Sequence, residues 1–398
     1  MKLALVTAFP PSHGSLNEYG FHLAKEFAAN PDVSDLVIIA DKMEDNQTET
    51  VEFPKVSIKR TWQFNSSMAG LQILCALKAE KVDAVVYNLQ TATFGDREIP
   101  AALGLFSPAV TRLFGFRSGV LAHNLIEGID LENTILKGSR LRQCLVKLGG
   151  WAVSLGMARA NYVTTTLDIY ADVLKSRFPA ADISMVPHGT FDRPAIDIKK
   201  VNQRPNRIVT MGKFGTYKKL GTLIDAFRIL LQIYPTLELI IGGTDHPNTQ
   251  GYMDEMQRQC SDLNSVRFVG YIAEEDVPSF FAGAKFAVFD YEATTGSSGV
   301  LHQCASYGTV PILPKIGDFV ELCDREGLCG FNYEVGDSVD MAKTISEALH
   351  DPVALEQVST GNLRAMDEYP LSKVAEFHVQ KLAKHNGAGK LKRDPIIN

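Results

Sequence analysis

The sequence predicts an α/β protein of two tandem domains, each a doubly wound sheet of mostly parallel strands. Three observations lead there. Short runs rich in Val and Ile alternate with helix-patterned segments along the chain; a polar stretch with two prolines interrupts the alternation near the middle; and 398 residues are too many for one ordinary core. Runs such as "SDLVIIAD" and "VDAVVYN" lack polar alternation, as strands covered on both faces do.

In the first half, strand "KLALVTAF" is followed by helix-patterned "NEYGFHLAKEFAAN", then by strands "SDLVIIAD", "VDAVVYN", "GVLAHNL", "NYVTTT" and "DISMVPHG". Segment 131–161 has apolar residues at helical spacing, with Lys137, Arg140, Arg142, Lys147 and Arg159 between them. A solvated helix face is preferred there over a membrane-surface helix. The stretch "TFDRPAIDIKKVNQRP" has no sustained period, which places the domain boundary between a first domain at 1–190 and a second at 206–370. The second half restarts with strands "RIVTMG", "LELIIGG", "VRFVGY", "KFAVFDY" and "VPILP", separated by helices, one of them starting at about Val300. The pattern "LSKVAEFHVQKLAKH" is amphipathic and gives a closing helix over 371–390, ahead of a basic tail expected to fray.

At 45% hydrophobic and 22% charged residues the composition is that of a globular protein, and the net charge of −6 with 40 scattered Lys and Arg offers no basic face to a nucleic acid. The apolar run at the amino terminus stops at Pro10 and is too short for a secretion signal, and "LGGWAVSLGMA" falls short of the ~20 residues a membrane span needs. The cysteines at 75, 144, 260, 304, 323 and 329 form no Cys-x-x-Cys pair, which suits reduced thiols in a cytoplasmic protein. Peripheral contact with the inner face of a membrane stays open.

Ligands bind such sheets at the carboxyl ends of the strands, so the polar residues there are the candidates. In "TTGSSGVLHQCASYG" a helix starting near Gly299 or Val300 would turn free N–H groups and its positive dipole end outward, a cradle for phosphate; a plain Ser-capped helix start fits equally well. A hydrolase nucleophile elbow does not fit, because Ser298 is followed directly by Gly299. In "MGKFGTYKKLGTLIDAF", Gly212 ends a strand and Lys213 and Lys218 project from one strand-to-helix loop. Each alone reads as a surface charge, but together with the turn at 296–299 they make a fork for a diphosphate.

These motifs resemble the large retaining nucleotide-sugar glycosyltransferases of GT-B fold, most strongly over about 206–352. The phosphate pair of that family falls on Lys213, in place of Arg, and on Lys218. Its strand-end glycine falls on Gly243 in "IIGGTD", its F-x-G turn on "FVGY" with Tyr271, and its "GxPVV…GG…E" stretch on Gly308, Pro311, Gly317 and Glu321. In the first half the glycine-rich loop matches with Gly14 kept and Ser15 in place of the second Gly, and a strand-end His falls on His123. The family's two glutamates, which touch the donor sugar and the ribose, fall on Thr295 and Gln303. Gln303 still hydrogen-bonds a diol; Thr295 supplies no charge, and Glu292 is the nearest acid.

The resemblance implies transfer of a sugar from a UDP-, GDP- or ADP-sugar to the hydroxyl of a saccharide, a small polyol or a lipid-linked acceptor, with retention and with no metal or other cofactor. His123 would contact the transferred sugar, and the leaving diphosphate would take the acceptor proton. Lys213 and Lys218, with the N–H groups of Ser298, Gly299 and Val300, would hold its charge. The domains would close over the donor, and the last helix would cross back to the first domain. A nucleotide-sugar epimerase would keep the fold and change the chemistry. A non-catalytic scaffold binding sugar nucleotide or glycan is the reading prompted by Thr295 and Gln303.

Overall fold

A computed structural model of the chain describes residues 1–12, 14–43, 54–125, 140–294 and 296–385, with side chains omitted over 140–148. Two compact units emerge: Met1–His188 together with the segment from Leu371 onward, and Gly189–Pro370.

Unit 1 begins with β1 (Lys2–Val6), α1 (Asn17–Ala29), β2 (Asp35–Asp41), β3 (Val56–Trp62), α2 (Ala69–Glu80) and β4 (Ala84–Leu89). It continues with α3 (Glu98–Leu105), α4 (Ser107–Leu113), β5 (Arg117–Ala122), α5 (Arg140–Ala158), β6 (Tyr162–Thr165), α6 (Asp168–Arg177) and β7 (Ile183–Met185). The seven strands are parallel in the order β3-β2-β1-β4-β5-β6-β7. Strands β1 and β4 are almost wholly buried, which is why they read as unbroken apolar runs. The helix read over 131–161 corresponds to α5 from Arg140; its earlier part lies outside the described residues.

Unit 2 begins with β8 (Arg207–Phe214), α7 (Gly221–Leu231), β9 (Glu238–Asp245), α8 (Tyr252–Gln259), β10 (Val266–Gly270) and α9 (Val277–Ala282). There follow β11 (Phe286–Val288), α10 (Gly299–Ser306), β12 (Val310–Pro314), α11 (Gly317–Glu326), β13 (Phe331–Tyr333), α12 (Ser338–His350) and α13 (Pro352–Glu368). Its six parallel strands run β10-β9-β8-β11-β12-β13. Helix α7 shows how the layers are held. Leu223, Phe227 and Leu230 recur at helical spacing, are fully buried, and pack in one core with Ile208, Leu239, Ile241 and Phe286. Each contributes about 1.5–3 kcal/mol by leaving water.

The final helix, α14 (Leu371–Lys384), belongs to unit 1 and packs on α1 and β5. Tyr162 and His378 fix it through a 2.8 Å hydrogen bond between Oη and Nδ1, and Arg117 Nη1 donates to Leu382 O at 2.9 Å. No helix among the described residues is long and apolar enough to cross a membrane.

Both sheets reverse their strand order beside the first strand of the unit, between β1 and β4 and between β8 and β11. Neighbouring strands leave such a point toward opposite sides, and a crevice opens at their carboxyl ends. In unit 2 the opening is wide, because β8 and β11 pair only through Phe286↔Ile208 and Ala287↔Val209. On its other side β8 stays paired with β9 all the way to Phe214↔Asp245.

That long pairing requires a glycine. Gly243 has φ +133, and a Cβ there would lie 1.9 Å from the carbonyl oxygen of Gly212. Gly243→Ala is therefore expected to lower the stability of unit 2 by about 2–4 kcal/mol, read as a fall in the urea midpoint without a change in slope.

Candidate active site

In unit 2 the crevice is built on β8 and β11. Lys213 is the penultimate residue of β8, still paired with β9, and the chain then turns back at Gly215, so that residues 215–219 lie along the exit of β11. Gly215 N donates to Lys218 O at 2.9 Å, Lys219 N to Asp290 O at 2.7 Å, and Glu292 N to Tyr217 O at 2.8 Å, with Lys218 and Tyr291 forming an antiparallel bridge. The two strands that part after two residue pairs are thus rejoined by the lysine loop.

Asp290 locks this arrangement. Its Oδ2 accepts from Leu223 N at 3.1 Å, so the carboxyl caps the first turn of α7 from another strand, where no local residue does so. Burial raises its pKa, and the bonds from the start of α7 pull the other way. Nothing in the sequence singled it out, because a lone Asp at a strand exit has no motif.

Lys218 lies over Gly212: a Cβ on that glycine would meet Lys218 Cδ at 3.3 Å and Nζ at 3.7 Å. Its ammonium sits 4.8 Å from the centre of the Tyr291 ring and 6.0 Å from that of Tyr217, in cation–π range. Burial opposes the charge, but Tyr291 and Tyr217 more than offset it, and the pKa stands above the ordinary lysine value. Lys213 is exposed. His246, which follows β9, has its pKa lowered by burial first and then by the charges of Lys213 and Lys218. Three cationic or basic side chains therefore share one field, and His246 is the member sequence reading missed. Lys219, by contrast, is drawn to Glu292, 3.9 Å away. Glu292, the nearest acid to Thr295, is thus engaged with a lysine.

The other wall is the turn at 296–299 and α10. Gly296 has φ +137, and Ser298 adopts a left-handed conformation with φ 42 while its Oγ accepts from Leu301 N at 3.4 Å. Gly299 and Val300 open the helix, and Gln303 follows one turn later, half-buried. Thr294 Oγ1 donates to Asp318 Oδ2 in the first turn of α11, tying the turn to a second helix start. Thr295 lies outside the described residues. Tyr271 is 57% exposed and follows edge strand β10, two strands away from β8 in the sheet order.

In unit 1 the switch point carries different chemistry. His123, at the exit of β5, is 6% exposed, and its Nε2 lies 2.7 Å from Asn88 Oδ1. Asn88 Nδ2 donates to Thr7 Oγ1 at 3.0 Å, and Thr7 donates to Ala8 O at 2.9 Å. The amide therefore presents its oxygen to the imidazole, so Nε2 carries the hydrogen and Nδ1 keeps its lone pair. Burial first, and then His378, push the His123 pKa down to about 3, and the ring is neutral at physiological pH. Tyr19 packs edge-on against it at 4.4 Å. Gly20 lets α1 approach, since a Cβ there would fall 2.5 Å from Thr7 Oγ1.

Gly14 and Ser15 sit in the loop after β1. A Cβ on Gly14 would meet Ala8 Cβ at 2.6 Å and Asp41 Oδ2 at 2.9 Å, so its absence is required by packing within the unit. Asp41 in turn accepts from Phe9 N at 3.1 Å, and Arg60 Nη1 donates to Phe9 O at 2.7 Å, fastening the loop. Among the described residues no group of three His, Cys, Asp or Glu side chains gathers as a metal site.

With this geometry in place, comparison with known proteins is informative. Residues 205–351, most of unit 2, match the family model of glycosyl transferases group 1. No curated protein matches the chain in sequence. Sucrose-phosphate synthase from Thermosynechococcus elongatus superposes with a TM-score of 0.72 at 16% identity, covering 98% of this chain and 100% of that one. Anabaena HepE in complex with UDP and glucose gives 0.64 at 17% identity, covering 96% and 100%. The UDP-forming α,α-trehalose-phosphate synthase of Burkholderia xenovorans, in complex with glucose-6-phosphate, gives 0.68 at 11% identity over 96% and 99%. The chain has the GT-B fold of these structures, and most of its second unit is similar to glycosyl transferases group 1.

The neutral His123 makes a stability prediction. Its folded pKa lies below that of the unfolded chain, so its contribution is complete above about pH 6.5 and is lost as pH falls toward 3. His123→Asn is expected to flatten the acid side of the stability profile by up to about 1.4 kcal/mol per pH unit between pH 6 and 4, measured by urea unfolding at each pH.

Proposed function

We propose that the protein transfers a sugar from a nucleoside-diphosphate sugar to an acceptor hydroxyl with retention of anomeric configuration. The observation that carries this reading is Lys218: a charged side chain folded over Gly212 at the switch point of unit 2, with Lys213 and the start of α10 on either side. Keeping an ammonium there, against the desolvation that opposes it, suits a ligand bearing several negative charges. The match of residues 205–351 to glycosyl transferases group 1 supports a nucleotide-sugar donor, as do the structural neighbours solved with UDP and glucose.

In the proposed reaction the bond between C1 of the sugar and the β-phosphate oxygen breaks, and the acceptor oxygen bonds to C1 on the same face. The acceptor proton passes to the departing diphosphate. Charge grows on that diphosphate as the bond stretches, and Lys213, Lys218 and the N–H groups of Ser298, Gly299 and Val300 stabilise it, as an oxyanion hole does. Gln303 offers its amide to the ribose diol. On unit 1, His123 offers Nδ1 as an acceptor for a substrate hydroxyl.

The test is incubation of the purified protein with radiolabelled UDP-, GDP- and ADP-sugars, with and without a panel of sugars, sugar phosphates and lipid-linked acceptors. Transfer from one donor, or slow hydrolysis of it, is expected, and the anomeric coupling constant of the product should match that of the donor. Binding without turnover across the panel would make the protein a scaffold. Lys218→Ala and Lys213→Ala should each lower kcat about 10²–10³-fold if they act in the transition state, with KM for the acceptor unchanged.

A further inference from the structure

A buried His–Glu pair stands directly behind the turn of α10 and takes no part in the reaction as described. His302 and Glu326 are each 2% exposed, and His302 Nε2 lies 2.8 Å from Glu326 Oε2. The other ring nitrogen, Nδ1, lies 3.1 Å from the carbonyl oxygen of Ser298. A carbonyl and an ionised carboxylate are both acceptors, so with Glu326 ionised a ring that satisfies both carries hydrogen on both nitrogens and is an imidazolium. Burial works against that proton, and the Glu326 carboxylate more than offsets it, leaving the His302 pKa above the ordinary value.

Two features tie the pair to the turn. Ser298 holds φ 42, a left-handed conformation that costs a non-glycine residue about 1 kcal/mol or more, and its carbonyl accepts from Leu301 N at 2.9 Å and His302 N at 3.3 Å as well as meeting the His302 ring, which adds to the hold. Among the described residues Glu326 Oε1 is buried without a hydrogen-bond partner, and His302 Nε2 meets the other oxygen of this carboxyl. Replacing such a pair by apolar side chains is often neutral or favourable, and position 302 lies between buried Leu301 and Cys304 on the core side of α10, where an apolar residue would pack. The pair therefore needs a use beyond packing.

We propose that His302 is a positioning residue: clamped between Glu326 and the Ser298 carbonyl, it holds the 296–299 turn in the shape that presents the N–H groups of 298–300 to a diphosphate, and it places a fixed positive charge beneath them. This inference rests on reading that turn as diphosphate-binding. Glu326→Gln separates charge from shape. Glutamine can donate to Nε2 of a neutral imidazole, which still donates from Nδ1 to Ser298, so the clamp survives and the charge is lost.

The experiment is calorimetric titration of the full-length protein and its Glu326→Gln and His302→Met variants with UDP, GDP and ADP and with the matching nucleosides. Imidazole ¹⁵N shifts are recorded for the wild type and Glu326→Gln. The wild type is expected to bind one diphosphate and to show a protonated ring at pH 7.5. Glu326→Gln should show a neutral ring and bind that diphosphate about tenfold more weakly with nucleoside affinity unchanged. His302→Met, if folded, should lose more of the diphosphate affinity. Unchanged diphosphate affinity in Glu326→Gln, or an equal loss for nucleoside and diphosphate, overturns the role of His302 while leaving the site reading intact. A wild type that binds none of the three diphosphates overturns both.

Discussion

Strands β8 and β11 share only two residue pairs, and the space that opens beyond them is bridged by a loop carrying Lys218. Much of unit 2 depends on that bridge. It sets residues 215–219 against 290–292, and Asp290 then caps α7 across the gap, so the first helix of the unit is fixed by the same segment that leads to the Gly-Ser-Ser-Gly turn. The lysine is folded over Gly212 and the ring of Tyr291, so its charge is aimed before any ligand arrives. Pre-aimed charge is worth more than charge that must be gathered, because no reorganisation remains to oppose binding or reaction.

The turn itself follows similar logic on the opposite wall. Ser298 sits in an unfavourable backbone region and is held by its neighbours: Oγ with Leu301 N, the carbonyl with His302, and Thr294 with Asp318. Helices α10 and α11 are joined at the turn and again at the buried His302–Glu326 pair. The Phe289, Tyr291 and Phe319 rings pack between them and the exit of β11, with centroids 5.5–5.9 Å apart.

The sequence made the doubly wound fold legible because buried parallel strands leave long apolar runs. It was less legible where burial is partial or the element is short. Strand β3, "VSIKRTW", is an edge strand that alternates half-buried and exposed residues, and β13 has only three residues, so neither gives an apolar run. Helices α11 and α13 also escaped notice, because polar residues dominate α11 and α13 has no mean apolar excess. At the site, Lys213, Lys218 and the α10 turn could be picked out because charge or glycine at a strand exit is a local signal. Asp290, His246, Asn88 and Thr7 could not, since each acquires its role from a partner far away in sequence: Leu223, the two lysines, His123 and Asn88. Tyr271 shows the converse, a motif position that the sheet order carries to an edge.

Two units of one fold here put opposite chemistry at the same topological place. At the switch point of unit 1 the chain from His123 through Asn88 and Thr7 to Ala8 O is neutral, directional and satisfied at every link, which fixes one tautomer and one acceptor nitrogen. Such a chain reads geometry and the hydrogen of a hydroxyl, and a charged ligand would gain little from it. At the switch point of unit 2 the donors are cationic or are helix N–H groups, a set that favours an anion. The transfer proposed above, which joins an uncharged hydroxyl to a group leaving on a diphosphate, would call on both kinds of surface, and each unit by itself offers one of them.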